Sequence, residues 1–209
     1  MNRQQLGQKF ARLATNAAIR SPFLWRLLRP LVRRQFDTIA SVWDTMRMED
    51  TFVPFETALQ TVEPPPRRVL DLGTGTGEGA FAIARQFPEA EVVGADLSDR
   101  MLVEARRKTP SELGGRVRFE RGDASALLYP DGSFELVTHA NMIPFFDEVA
   151  RVLAPGGQAL FAFSSGPTTP IYVPPERLRE ELGRRGFTDF AEFAAARGTA
   201  LLARKGARG

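Results

Sequence analysis

Residues 70–79, LDLGTGTGEG, place four glycines behind an acidic residue. Glycine takes up left-handed backbone without strain and lets a ligand approach the main chain, at a cost to helix and strand stability. Gly73, Gly75 and Gly77 alternate after Asp71. That spacing predicts a tight turn at a strand end beneath a small molecule, because a turn alone needs fewer glycines. Asp96 follows Gly77 by 19 residues. A carboxylate there can accept both hydroxyls of a ribose, or merely cap the next helix. Asp123, in Arg121-Gly122-Asp123-Ala124, can accept from an exocyclic adenine amine while the neighbouring amide of Ala124 donates to a ring nitrogen. Leu97 and Met101 offer apolar surface on either side of such a ring. His139 is the sole histidine, and its ordinary pKa suits proton removal from a phenol, enol or hydroxyl. It is the candidate catalytic base, against the alternative of a histidine packed under a ligand.

These residues predict an adenosine-containing ligand and leave two open: a dinucleotide and S-adenosylmethionine. The dinucleotide pattern G-x-G-x-x-G is not met from Gly73, and from Gly75 it ends on Ala80.

The elements that must carry these residues alternate. RRVLDL (67–72), EVVGAD (91–96), RVRFER (116–121), FELVTH (134–139) and QALFAFS (158–164) read as strands. Between and after them, 79–87, 98–108, 145–153 and 175–186 read as helices, with Ser98 as an N-cap and Pro155-Gly156-Gly157 as a stop. Residues 187–195 and 199–205 flank Arg197-Gly198 as a terminal hairpin. Repeated βα units predict an open, mostly parallel α/β sheet with helices on both faces. Ligands of such sheets bind outside the carboxyl ends of the strands, where strand order reverses, which is where the glycine run falls. Pro64-Pro65-Pro66 marks a boundary. It divides an N-terminal helical arm or cap (1–60) from a ligand-binding core (61–209).

Composition narrows the chemistry. Zero cysteines exclude disulfides, thiol catalysis and sulfur-ligated metals, and a single histidine excludes a multi-histidine zinc site, so no metal is expected. The absence of a signal-peptide pattern and of any long apolar run makes the cytoplasm the expected compartment. Net charge is +3, yet residues 1–36 hold eight Lys and Arg and no acid, leaving −5 on the remainder. A basic arm on an acidic body argues against a nucleic-acid-gripping face. Within the arm, Ser21 and Pro22 open a helix that Pro30 is expected to kink or split. Its stripe of Phe23, Leu24, Leu27, Leu28, Leu31, Val32 and Phe36, with Trp25 at the border, makes residues 21–36 a candidate peripheral contact with an anionic membrane. The same stripe could instead roof the core.

The ordered series VLDLGTGTG, VVGADLS, RGDA, DGSFELV and RVLAPGG resembles the class I S-adenosylmethionine-dependent methyltransferases. FDTIASVWD (36–44) is similar to the segment before the core in the branch acting on small molecules and quinones. The resemblance spans about residues 36–209. It implies a Rossmann-like, doubly wound seven-stranded sheet whose last strand is antiparallel. It implies Asp71 near the methionine end of the cofactor, Gly73, Gly75 and Gly77 beneath it, Asp96 on the ribose and Asp123 on adenine, with Leu97 and Ala124 completing the candidate cofactor-binding set. Trp43, Asn141 and Phe145 are the candidate acceptor contacts. The connection 139–148, HANMIPFFDE, is shorter than the resemblance implies, because its helix starts directly behind Pro144. Met142, Ile143, Phe145 and Phe146 have two readings there, an apolar wall or core packing at the start of the helix. The implied function is methyl transfer to a small lipophilic or aromatic acceptor. The alternatives are an RNA or protein methyltransferase steered by the arm, and a non-catalytic cofactor-binding partner subunit.

Overall fold

The computed structural model describes residues 22–46 and 50–207, with side chains from Leu24 onward. Ser21 as N-cap, the Phe23 side chain and the four basic residues before Ser21 lie outside the described residues.

The strands are β1 (Arg68–Leu72), β2 (Glu91–Asp96), β3 (Val117–Arg121), β4 (Phe134–Ala140), β5 (Leu153–Phe163), β6 (Phe187–Ala195) and β7 (Gly198–Lys205). The helices are α1 (Pro22–Ile39), α2 (Val53–Leu59), α3 (Glu78–Gln86), α4 (Asp99–Lys108), α5 (Phe146–Val152) and α6 (Pro175–Gly183). The strands form one sheet of order β3-β2-β1-β4-β5-β7-β6. Only β7 is antiparallel, pairing with β5 on one side and β6 on the other. The expected doubly wound sheet with its antiparallel final strand is therefore present.

Near-continuous apolar runs make these strands, as expected where both faces are covered. All but the first residue of β1 are buried, and every residue of β5 from Gly157 to Phe163. One face is packed by Phe55 and Leu59 of α2, Phe81 and Ile83 of α3, and Leu102 and Ala105 of α4. The other face is packed by Phe146 and Val149 of α5 and Leu178 and Leu182 of α6. Alternate residues of one strand therefore enter different cores. Ser98 caps α4 by accepting from Met101 N–H at 3.1 Å, and Arg106, Arg107 and Lys108 close its last turn.

Three expectations need correction. Helix α1 runs unbroken through Pro30. Strand β5 starts at Leu153 and absorbs Pro155-Gly156-Gly157, with a register shift opposite Phe134–Leu136. The core also begins before residue 61, since Phe55, Ala58 and Leu59 of α2 belong to its main cluster. A Cβ on Gly198 would come 2.6 Å from Pro54, so α2 is pressed against the start of β7. Among the described residues, no helix is long and apolar enough to cross a membrane.

Candidate cofactor and acceptor site

Strand order reverses between β1 and β4. A crevice of about 280 Å³ opens there, along the carboxyl ends of β1, β2 and β4. Its floor is the glycine run. Gly73, Gly75 and Gly77 have φ of 64°, 55° and 93°, the left-handed region that glycine alone enters freely. The loop hangs on β2, because Gly73 N–H and Thr74 N–H both donate to Ala95 O, at 2.8 and 3.1 Å. Gly75 N–H donates to Asp96 at 2.9 Å.

Asp71, Asp96 and Asp123 all reach the crevice, and they are the only ionisable residues lining it among those described. Asp71 is buried and accepts from Thr74 Oγ1 at 2.7 Å and Thr138 Oγ1 at 2.8 Å. Burial pushes its carboxyl up to about 6, against the lowering effect of those two hydroxyls, with the nearby Asp96 adding to the rise. Asp96 accepts from Gly75 N–H and, at 2.8 Å, from Ser98 N–H. Burial raises its pKa while these amides oppose the rise. Asp123 is held by Ser125, Trp25 and Arg29, whose hydrogen bonds outweigh its burial and keep the carboxyl below its usual range.

Leu97, Ala124, Trp43, Asn141 and Phe145 also line the crevice, together with Gly73 and Gly75. Trp43 meets Phe36 edge-on with centroids 5.6 Å apart. Phe145 packs on Trp25 at 5.1 Å. Asn141 Oδ1 is engaged, accepting from Ser164 N–H at 2.9 Å and Ser164 Oγ at 3.2 Å.

Three expected residues stand elsewhere. Gly77 faces Phe81 and Phe119, 2.8 and 2.9 Å from where its Cβ would be, and makes a packing turn at the start of α3. Phe146 takes the second of its two readings and is buried in the core beneath α5. His139 points away from the crevice into the second core, its ring 4.6 Å from that of Phe161. It is 1% exposed and neither ring nitrogen has a hydrogen-bond partner. Burial lowers its pKa to about 4. The residue expected as a base is thus a neutral core side chain. Thr138, one residue earlier, takes the crevice-side face and bonds Asp71.

Other lining residues had weaker signals. Gly79, the fourth glycine of the run, has no room for a Cβ, which would meet Asp71 Oδ2 at 3.0 Å. Met142 lies over Gly73, 2.6 Å from a Cβ there. Phe52 and Ile171 come from segments with no motif.

Two pH effects follow. The folded pKa of Asp71 is raised above its unfolded 3.8, so the folded state binds the extra proton and stability falls as pH rises from about 4 to 6. The advantage of Asp71→Asn over wild type should grow by on the order of 2 kcal/mol from pH 4 to 7, measured by urea unfolding. The folded pKa of His139 is lowered from 6.5, so the unfolded state takes the proton first. Stability is then lost as pH falls from about 6.5 to 4. His139→Leu should be at least as stable as wild type at pH 7 and should lose less between pH 7 and 4.5 in the same assay.

A methyltransferase-domain family model matches residues 69–157. Residues 69–157 are thus a methyltransferase domain of the class I S-adenosylmethionine-dependent kind. A demethylmenaquinone methyltransferase of Thermus thermophilus is 47% identical to it over 104 residues, 46% of this chain and 47% of that protein. The ubiquinone/menaquinone biosynthesis C-methyltransferase UbiE of Desulfotalea psychrophila is 34% identical over 158 residues, 69% of this chain and 63% of that protein. A Haemonchus contortus phosphoethanolamine N-methyltransferase, solved with S-adenosyl-L-methionine, shares the fold with a TM-score of 0.65 at 19% identity, covering 81% of this chain and 57% of that one. The chain spans about half the length of its Thermus and Deinococcus relatives.

S-adenosylmethionine is the cofactor of this class I domain, and the residues present fit it. Bare backbone at Gly75 lies open, with Trp43 Nε1 3.7 Å from the place of a Cβ. The ionisable lining is wholly acidic, which suits a sulfonium cation.

Proposed function

We propose that this chain transfers the methyl group of S-adenosylmethionine to a small lipophilic or aromatic acceptor by direct displacement. The observation that carries this is the contrast within one crevice. Its lining joins glycine backbone and carboxylates with the apolar side chains of Phe36, Trp43, Phe52, Ile143, Phe145 and Ile171. An apolar lining with no cationic side chain among the described residues suits a planar, uncharged acceptor. The Thermus and Desulfotalea relatives are named for methyl transfer in quinone biosynthesis, and quinones are of that class.

The sulfonium supplies an activated methyl group with a neutral leaving group. This chain's own residues then have a positioning role. Asp96 and Asp123 would fix the adenosine, the glycine loop and Asp71 would set the depth of the methionine end, and the aromatic side chains would align the acceptor and exclude water. Among the described residues, no imidazole or amine lines the crevice. An acceptor whose hydroxyl ionises readily, such as a quinol, needs no base.

Labelled-methyl transfer from S-adenosylmethionine to a reduced quinone analogue, to bulk RNA and to a protein mixture tests the reading. Label should enter the quinol. Label only in RNA or protein, or none at all with the cofactor bound, would replace it with an alternative.

A bilayer contact through residues 21–36 is part of the same reading. It is supported by the outward side of α1, where Leu24, Leu27 and Leu31 are 42%, 61% and 59% exposed. Arg26 and Arg34 beside them are exposed and make no ion pair among the described residues. Trp25 is not at this border but turned inward. Co-flotation with phosphatidylglycerol vesicles should be lost when the three leucines become glutamine. Retention of vesicle binding by that variant would refute the contact.

A further inference from the structure

The carboxylate expected to read adenine is already engaged by four donors. Asp123 Oδ1 accepts from Trp25 Nε1–H at 3.0 Å, Ser125 N–H at 3.0 Å and Ser125 Oγ at 2.7 Å. Its Oδ2 accepts from Arg29 Nη1 at 2.7 Å. Each carboxylate oxygen offers about two lone pairs, so three donors crowd Oδ1 while Oδ2 receives one. An adenine amine that bonds Oδ1 must displace one of its donors, and one that bonds Oδ2 must share it with the Arg29 guanidinium. The Ser125 bonds are local and fixed by the turn. The other two come from α1, 98 and 94 residues away in sequence.

Helix α1 is built to release them. Its C-terminal half is pinned to α4, because Asp37 accepts from Ser98 Oγ at 2.6 Å and Arg100 N–H at 3.3 Å. Its N-terminal half is held by Trp25 and Arg29. Pro30 lies between the two attachments. It has no N–H to donate to the carbonyl of Arg26, so the helix lacks one bond at that point and bends there most easily. The Trp25 indole, 5% exposed, sits in the crevice against Phe145, Ile143 and Leu97.

We propose that the N-terminal half of α1 is a latch hinged at Pro30, with the Trp25 indole and Arg29 guanidinium holding the adenine-reading carboxylate until an adenosyl cofactor displaces them. The proposal rests on the cofactor reading above. The latch reduces apparent cofactor affinity by the fraction of molecules that are closed. A lighter latch therefore binds more tightly, the opposite of what a residue of the cofactor cradle would give.

The test is calorimetric titration of the full chain with S-adenosylhomocysteine, with thermal melting to verify folding. Trp25→Phe keeps the apolar contact and drops the N–H donor. It should bind about 3- to 10-fold more tightly, the worth of one hydrogen bond. Arg29→Gln, at a half-exposed side chain, should do the same and serves if Trp25→Phe does not fold. Pro30→Ala restores the missing helix bond and should weaken binding and slow association. In a Trp43→Phe chain Trp25 is the sole tryptophan, and its emission should move to longer wavelength on saturation. Weaker binding by Trp25→Phe, or affinities within twofold across all three latch variants, overturns the latch and leaves the cofactor reading standing. Failure of folded wild type and variants alike to bind at millimolar ligand overturns both.

Discussion

Asp96→Ala is expected to weaken S-adenosylhomocysteine binding by more than tenfold without unfolding the chain. The carboxylate does two jobs at once. It pins the glycine loop through Gly75 N–H and sets the start of α4 through Ser98 N–H. The residue also lines the crevice, where the ribose hydroxyls would donate to it. Hydrogen bonds to a charged acceptor contribute about 1.5–3 kcal/mol each, and two of them exceed a factor of ten in affinity. The fold should survive, because Gly73 and Thr74 stay bonded to Ala95 O and Ser98 still caps α4. Asp96→Asn, which keeps one acceptor, should fall between wild type and Asp96→Ala. Calorimetry on the three chains decides the matter. Equal affinities would mean that the ribose lies elsewhere.

Gly77→Val should be the most damaging single change in the loop, through stability and not through ligand contact. Gly77 has φ of 93° and begins α3. A branched side chain there meets two obstacles. Left-handed backbone costs an L-residue about 1–2 kcal/mol. Its Cβ would also lie 2.8 Å from Phe81 and 2.9 Å from Phe119, whose rings are locked edge to face in the core. Overpacking of that kind costs about 1–3 kcal/mol, so the total is about 2–5 kcal/mol in urea unfolding. Gly115→Ala provides the contrast. Nothing lies within 4 Å of a Cβ there, and the change should stay within about 0.5 kcal/mol. A Gly77→Val chain as stable as wild type would show that the turn relaxes freely.

What was legible in the sequence was local. Asp96 and the Ser98 cap stand three residues or fewer from the strand end and helix start that give them meaning. The mostly parallel sheet followed from the βα alternation, and the β6–β7 hairpin from its turn. What escaped depended on parity or on distance. His139 and Thr138 are adjacent, and a one-residue change of phase along β4 exchanges which of them faces the crevice. The apolar neighbours of the histidine, Phe161 and Phe163, lie on β5. Gly75 and Gly77 look alike as letters. Only Phe119, on β3, turns one of them into a packing glycine. The Trp25–Asp123 bond joins residues 98 apart, and nothing near either residue announces the other. Asn141 lines the crevice as expected, but the bond that holds its Oδ1 comes from Ser164, 23 residues away.

Asp71 and His139 sit on neighbouring strands, β1 and β4, and face opposite sides of the sheet. Acidification strengthens the molecule through the buried carboxyl, which gains its proton while folded. It weakens the molecule through the buried imidazole, which gains its proton only once unfolded. The two windows overlap between about pH 4 and 6, so the opposing slopes offset each other. The central strand pair thus works as a counterweight that flattens the chain's response to mild acid. Removing either group alone should tilt that response, in opposite directions.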